Sequence, residues 1–333
     1  MRFLNRWLVL NLVLAFHGFG IIELCAAEPP RVKVFVLAGQ SNMQGHGIVP
    51  SDPKRSGGKG SLEYVAKDKA TAARFGHLLG SDGKWKVRDD VWIAYLEREG
   101  PLTVGFGAKN DMIGPELGFG WVMGEASQEP VLLIKCAWGG KSLAVDFRPP
   151  SSGKVPYSLG EKQDAAIAAD PQLVGKYYRE TVAITKATLA RIKELVPASE
   201  GRYELAGFGW HQGWNDRVND KFTAEYEVNM ANFIRDIRKD LSVPALPFVI
   251  AETGMGGPEE KHVRALALMK AQANVADQEE FKGSVAFVGT RAFWRPDSES
   301  PSKQGYHWNS SAETYYLIGD AMGEAMKRLT AKK

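Results

Sequence analysis

Five short apolar runs alternating with longer amphipathic stretches constrain this chain more than any other feature. Val32–Ala38, Val131–Cys136, Leu205–Trp210, Pro247–Ala251 and Val285–Val288 are four to seven residues long and rich in Val, Ile, Leu and Phe. Such runs mark strands buried on both faces. Pro115–Ala126 opens with Pro and Glu, suited to a helical first turn, and Lys176–Leu195, Thr223–Leu241, Glu259–Ala276 and Ala312–Leu329 carry apolar residues at helical spacing. The alternation predicts an α/β fold: a three-layer α/β/α sandwich around a five-stranded, mainly parallel sheet. Two stretches stand outside it. Residues 46–114 are rich in Gly, Lys and Asp, with an extra strand suggested at Val91–Leu96, and residues 141–173 include Pro149-Pro150-Ser151-Ser152-Gly153. Long insertions at strand ends commonly shape a binding site. No internal repeat or low-complexity tract interrupts the pattern.

The first 27 residues have a different character. Arg2 and Arg6 precede the apolar run Trp7–Ile22, and Cys25-Ala26-Ala27 closes it. This order of basic, apolar and small residues is that of an export signal. The run contains Asn11 and His17 and is shorter than the roughly 20 apolar residues of a spanning helix. Residues 1–27 are therefore expected to be a signal peptide, and residues 28–333 a single exported domain, periplasmic or extracellular, with no stable membrane insertion. A lipid-anchored reading through Cys25 is disfavoured by the bulky Leu24 before it. Removing Arg2, Arg6 and Glu23 from 42 basic and 39 acidic side chains leaves 40 and 38. So balanced a charge offers no support for a nucleic-acid partner. Cys136 is then the sole remaining cysteine, which excludes an intramolecular disulfide, and its place in an apolar run suits a buried small hydrophobe.

Candidate chemistry gathers at the carboxyl ends of the predicted strands, where open parallel sheets bind ligands. The first strand runs into Ala38-Gly39-Gln40-Ser41-Asn42-Met43-Gln44-Gly45. Ser41 stands just past the strand between two glycines, although Met43 breaks the G-x-S-x-G elbow pattern. The strand ending at Cys136 leads to Trp138-Gly139-Gly140-Lys141-Ser142. Lys135 occupies the position where a phosphate-binding loop needs its first glycine, so Gly140 is read instead as a backbone N–H donor to an oxyanion. The strand ending at Trp210 leads to His211-Gln212-Gly213-Trp214-Asn215-Asp216, which supplies neutral amides suited to the same task. Tyr306-His307-Trp308-Asn309-Ser310 precedes the last helix and places an imidazole where a general base toward Ser41 could lie. Each element alone is commonplace, a Ser in a Gly-rich turn being more often a helix cap than a nucleophile. Their order along the chain gives them meaning.

Ser, Gly, Asn and His at successive strand ends resemble the four blocks of the SGNH hydrolase superfamily. The form Ala-Gly-Gln-Ser-Asn-Met, with Trp210-His211-Gln212-Gly213 later, is similar to its sialate O-acetylesterase and acetylxylan esterase branch, carbohydrate esterase family 6. The resemblance runs from about Val32 to Leu329. It implies a flavodoxin-like sheet, hydrolysis of acetyl esters on carbohydrate through an acyl-serine, and no cofactor. By position, Ser41 would be the nucleophile, His307 the base, and Gly140 with Gln212 or Asn215 the oxyanion hole. Gln212 fits the branch and Asn215 the superfamily. Two departures stand out: Trp214 replaces the Glu of the branch's Gln-Gly-Glu-x-Asp, and Gln304 stands where the superfamily often has Asp three residues before the His. Asp216, Asp297 and Glu299 are the remaining candidate acids, and a Ser-His dyad oriented by a carbonyl or by Gln304 is the alternative.

Trp138, Trp214 and Trp308 lie close in sequence to these positions and are candidate platforms for sugar rings, while Trp210 is expected in the core. His46, His77, His211 and His262 show no metal-ligand spacing. The expected activity is removal of O-acetyl groups from an oligo- or polysaccharide. A glycan-binding module that has lost catalysis, and a lipase or arylesterase, are the competing readings.

Overall fold

The computed structural model describes residues 28–331, so the predicted signal segment lies outside the described residues. Nine strands occur there: β1 (Val32–Gly39), β2 (Gly47–Ile48), β3 (Arg88–Tyr95), β4 (Arg98–Leu102), β5 (Met112–Ile113), β6 (Val131–Ala137), β7 (Tyr203–His211), β8 (Phe248–Ala251) and β9 (Val285–Val288). Seven form one sheet in the order β4-β3-β6-β1-β7-β8-β9, and β2 and β5 pair separately. The five predicted strands are β1, β6, β7, β8 and β9. Their partnerships are all parallel, and numbered among themselves they take the order 2-1-3-4-5 of flavodoxin-like sheets.

The expected count of five strands is corrected to seven. The insertion at 46–114 contributes β3, parallel to β6, and β4, which returns antiparallel along the edge. β3 carries Asp89 and Asp90, and β4 reads Arg-Glu-Gly-Pro-Leu, so neither looks apolar. Proline is tolerated in β4 because an edge strand need not donate every N–H.

Alternating residues of β1 show how the layers assemble. Phe35 and Leu37 enter a core with residues of the helices Pro115–Ala126 and Ala312–Thr330. Val34, Val36 and Ala38 face the other way, into a core with residues of Asp220–Asp240 and Val263–Asp277. Helix ends moved where local chemistry overrode periodicity. Asp220–Asp240 starts three residues before the predicted Thr223 because the Asn219 side chain accepts from Lys221 and Phe222 N–H. The predicted helix 176–195 breaks at Arg191 into Lys176–Ala190 and Ile192–Leu195. Among the described residues, no helix is long and apolar enough to cross a membrane.

A charged pair lies inside this apolar frame. Lys135, in the middle of β6, is wholly buried and paired at 2.7 Å with the equally buried Glu116. Its ammonium also donates to Gln44 O at 2.6 Å and Phe106 O at 2.7 Å. All three ammonium hydrogens thus have partners, which offsets the desolvation of a strand buried on both faces. Glu116 Oε1 in turn accepts the Gly114 N–H at 2.8 Å, closing the start of its helix. Lys135→Met should lower unfolding stability by about 3–5 kcal/mol in urea titrations, since an unpaired buried carboxylate remains. Adding Glu116→Leu should recover part of that loss.

Candidate active site

The β1 strand sits where chain direction across the sheet reverses, with β6 on one side and β7 on the other. The segments leaving these three strands therefore meet at one end of the sheet, the place where such folds bind ligands. β1 ends at Gly39, whose φ is +155°, and a Cβ there would lie 2.2 Å from His211 O. Only glycine fits against β7 at this point, and the chain then turns into the one-turn helix Ser41–Gln44.

Neutral amides tie the segments together. Gln40 Oε1 accepts the Gly213 and Asn215 N–H groups at 3.1 and 3.2 Å, and its Nε2 donates to Asn215 Oδ1 at 3.2 Å. Asn215 Nδ2 donates to Gly140 O at 2.7 Å. Asn42 Nδ2 donates to Tyr306 O at 3.1 Å, next to His307, while its Oδ1 accepts from the Tyr315 hydroxyl at 2.8 Å. Thus Gln40 and Asn42, on either side of Ser41, reach the β7 segment and the histidine segment respectively.

The result is a cleft of about 350 Å³ lined by Ser41, His46, Gly140, Trp214, Asn215, Tyr306 and His307, with Gln40, Gln44 and Gly139. Ser41 is 7% exposed at its edge. Gly140 has φ +70° with open space on its Cβ side, so its peptide can turn there without strain. Ser41 and His307 share the cleft without hydrogen-bonding each other, a looseness common in unliganded hydrolase sites. A larger cavity of about 520 Å³, around Arg148, Tyr157 and Tyr178, is lined in part by Pro149, Pro150 and Gly153 of the 141–173 insertion but by none of the candidate catalytic, oxyanion or sugar-platform residues.

A sequence profile described as "Carbohydrate esterase, sialic acid-specific acetylesterase" matches residues 31–326. The chain belongs to this family. Among solved structures it is similar to NanS, at 14% identity and a TM-score of 0.54, over 92% of this chain and 100% of that one. A protein from Arabidopsis thaliana matches at 17% identity and 0.53, covering 90% and 98%. A carbohydrate acetylesterase from Xanthomonas citri matches at 13% and 0.51, covering 90% of this chain and 57% of its own. At these identities the likeness is one of fold. Among curated proteins, none is significantly similar in sequence.

Within this esterase-family chain, the sequence-selected residues fall into two groups. Ser41, Gly140, Trp214, Asn215 and His307 line the cleft. Gln212 is buried, with its Nε2 donating to Lys141 O at 3.0 Å and to Asp216. Asp216 also accepts the Leu143 and Ala144 N–H groups, both at 2.9 Å, and so anchors the segment after β6. Burial pushes its carboxyl up to about 7, against the pull of those donated hydrogen bonds. Asp297 pairs with Lys303, and Glu299 is exposed; neither bonds His307. Trp138 packs on Phe147 and Tyr177, and Trp308 is wholly buried beside Trp294. Trp214 instead meets Tyr306 at 5.9 Å, with the Arg217 guanidinium 4.0 Å over its ring.

His307 occupies a tight turn in which Trp308, Asn309 and Ser310 all have φ above +50°. Such a left-handed run of non-glycine residues costs energy and persists only where its surroundings enforce it. Here Trp308 is buried, Asn309 Nδ2 donates to Arg295 O at 3.1 Å, and the Ser310 and Ser302 hydroxyls meet at 2.9 Å. The His307 Nδ1 is buried without a hydrogen-bond partner. Burial first, and the neighbouring His46 second, pull the His307 imidazole down to about 4. His46 was weighed only for metal-ligand spacing, because it belongs to no catalytic pattern. Gln40, Asn42, Gln44 and Tyr306 lay inside the motifs, but spacing alone assigned them no role.

Asp216→Ala would leave two backbone N–H groups unpaired in the interior. It should cost about 2–4 kcal/mol of unfolding stability, measured by denaturant titration.

Proposed function

We propose that this protein is a serine esterase of the SGNH type that removes O-acetyl groups from carbohydrate through an acetyl-serine intermediate. The observation that carries this reading is the meeting of Ser41, His307, Gly140 and Asn215 in one cleft at the reversal point of the sheet. The motif departures from carbohydrate esterase family 6 make the broader superfamily the better description.

In this mechanism the Ser41 hydroxyl attacks the acetyl carbonyl carbon and its proton passes to His307 Nε2, the ring nitrogen left for the cleft when Nδ1 is buried. The carbonyl oxygen becomes an oxyanion, which the Gly140 N–H and the second hydrogen of Asn215 Nδ2 stabilise. Asn215 takes this role in preference to Gln212, whose amide hydrogens already serve Lys141 O and Asp216. Collapse of the intermediate breaks the bond to the sugar oxygen, which leaves as an alcohol with the proton held by His307. Water then attacks the acetyl-serine and gives a proton to His307, which passes it to Ser41 Oγ as the bond to the acetyl carbon breaks, releasing acetic acid (which ionises to acetate) and free Ser41. The sugar rests against Trp214 and Tyr306, the latter 43% exposed. Export follows from residues 1–27 alone.

His307 works as the base of a dyad, because Asp216, Asp297 and Glu299 are engaged or placed elsewhere. Loss of the acid costs about four orders of magnitude in a well-studied serine protease triad, yet activity persists.

Acetate release from acetylated xylan, pectin and sialylated glycans, with Ser41→Ala as the control, tests the reading. Wild type should release acetate and react with a fluorophosphonate, and Ser41→Ala should do neither. Folded wild type that does neither would instead be a glycan-binding module, and activity rising with acyl length would indicate a lipase or arylesterase. Asn215→Ala should lower kcat about 100- to 1000-fold with little change in KM, as loss of one oxyanion donor does elsewhere. The pH profile of kcat/KM should fall on the acid side through about pH 4. Below that value His307 carries the proton it must accept, and above it the imidazole is free.

A further inference from the structure

The His307 ring lies parallel to the His46 ring, with centroids 3.7 Å apart and planes 9° from coincidence. His307 Nδ1 and His46 Nε2 are both buried without a hydrogen-bond partner. In a Ser-His-Asp triad a carboxylate on the far nitrogen fixes the orientation and the tautomer of the base. Among the described residues, no such group meets His307. A flat ring at van der Waals contact covers its face instead.

We propose that His46 is a positioning residue for His307, holding the base by its ring face where a triad would hold it by a carboxylate; this rests on the reading of His307 as the base. His46 is itself firmly held. It sits between the turn of Ser41, whose Gln44 O accepts from Lys135, and β2, which pairs with β5 through Gly47 and Ile113. The Ala108 N–H donates to Gly45 O at 2.7 Å just before it. The stack limits rotation of the His307 ring and keeps water from its buried side. Burial draws both imidazoles down to about 4, and the neighbouring His46 adds a second, smaller pull on His307. The other charged and titratable groups around the pair are Lys109 and Lys135, which act on His46, Glu116, which pairs with Lys135, and the tyrosines Tyr306 and Tyr315.

The test compares His46→Ala and His46→Phe with wild type, each checked for folding by circular dichroism. His46→Ala should lower kcat by about 10- to 100-fold, as a slightly misplaced catalytic group does, with KM changed much less. Its acid limb should rise from about 4 toward the ordinary histidine value, because water reaches the ring. His46→Phe keeps a flat ring and should retain most of kcat and a low acid limb. An unchanged kcat and acid limb in His46→Ala would overturn the proposal, as would a His46→Phe variant as impaired as His46→Ala. Nitrogen NMR titration of the His307 imidazole reads the same contact without activity. An upward shift in His46→Ala, absent in His46→Phe, supports the stack, and no shift overturns it. Wild type inactive toward every ester and toward fluorophosphonate would instead remove His307 as the base, a result the titration keeps separate.

Discussion

The buried ammonium of Lys135 joins parts of the chain that have little else in common. A lysine on a strand covered by both layers is costly unless every donor is used, and here one donor serves the turn carrying Ser41, one the 46–114 insertion and one the helix Pro115–Ala126. The geometry of the Ser41 turn is thereby coupled to the central sheet rather than to its own four residues. The same coupling explains why so long an insertion packs firmly: Phe106 O is one of the three acceptors, and β3 and β4 extend the sheet beside β6.

Above that anchor, the strand ends are joined by uncharged groups. Gln40, Asn42 and Asn215 link the Ser41 turn to the segments after β6 and β7 and to the turn of His307. Amides hold fixed positions without adding charge, so an oxyanion forming in the cleft would not face a fixed negative charge among these linking groups. The nearest acid among the motif residues, Asp216, is directed to the backbone of Leu143 and Ala144, where it shapes the loop that begins at Gly140. A carboxylate thus anchors the loop after β6, whereas His307 meets an aromatic ring, that of His46, in place of an acid.

Much of the fold was legible because burial on both faces leaves an apolar run that few other structures explain. The five runs became five parallel strands, with ends within two residues of those expected. β3 and β4 were only half visible, since an edge hairpin can carry Asp, Arg, Gly and Pro without betraying its ladder. The tryptophans show the opposite case. Trp138, Trp214 and Trp308 each lie within two residues of a candidate site residue, yet of the three Trp214 alone lines the cleft, because a turn can send neighbouring side chains to opposite sides.

Periodicity by itself determined the layered α/β architecture, and the strand-end motifs named Ser41, Gly140, Asn215 and His307, because a parallel sheet brings the carboxyl ends of its strands together. Tertiary structure alone decided which amide remains open to the cleft, where Asp216 spends its carboxylate, and that His46 lies on His307. Those outcomes depend on which hydrogen-bond partners and ring faces come within a few ångströms of one another. No spacing along a single chain encodes that proximity, since the partners arrive from opposite ends of it.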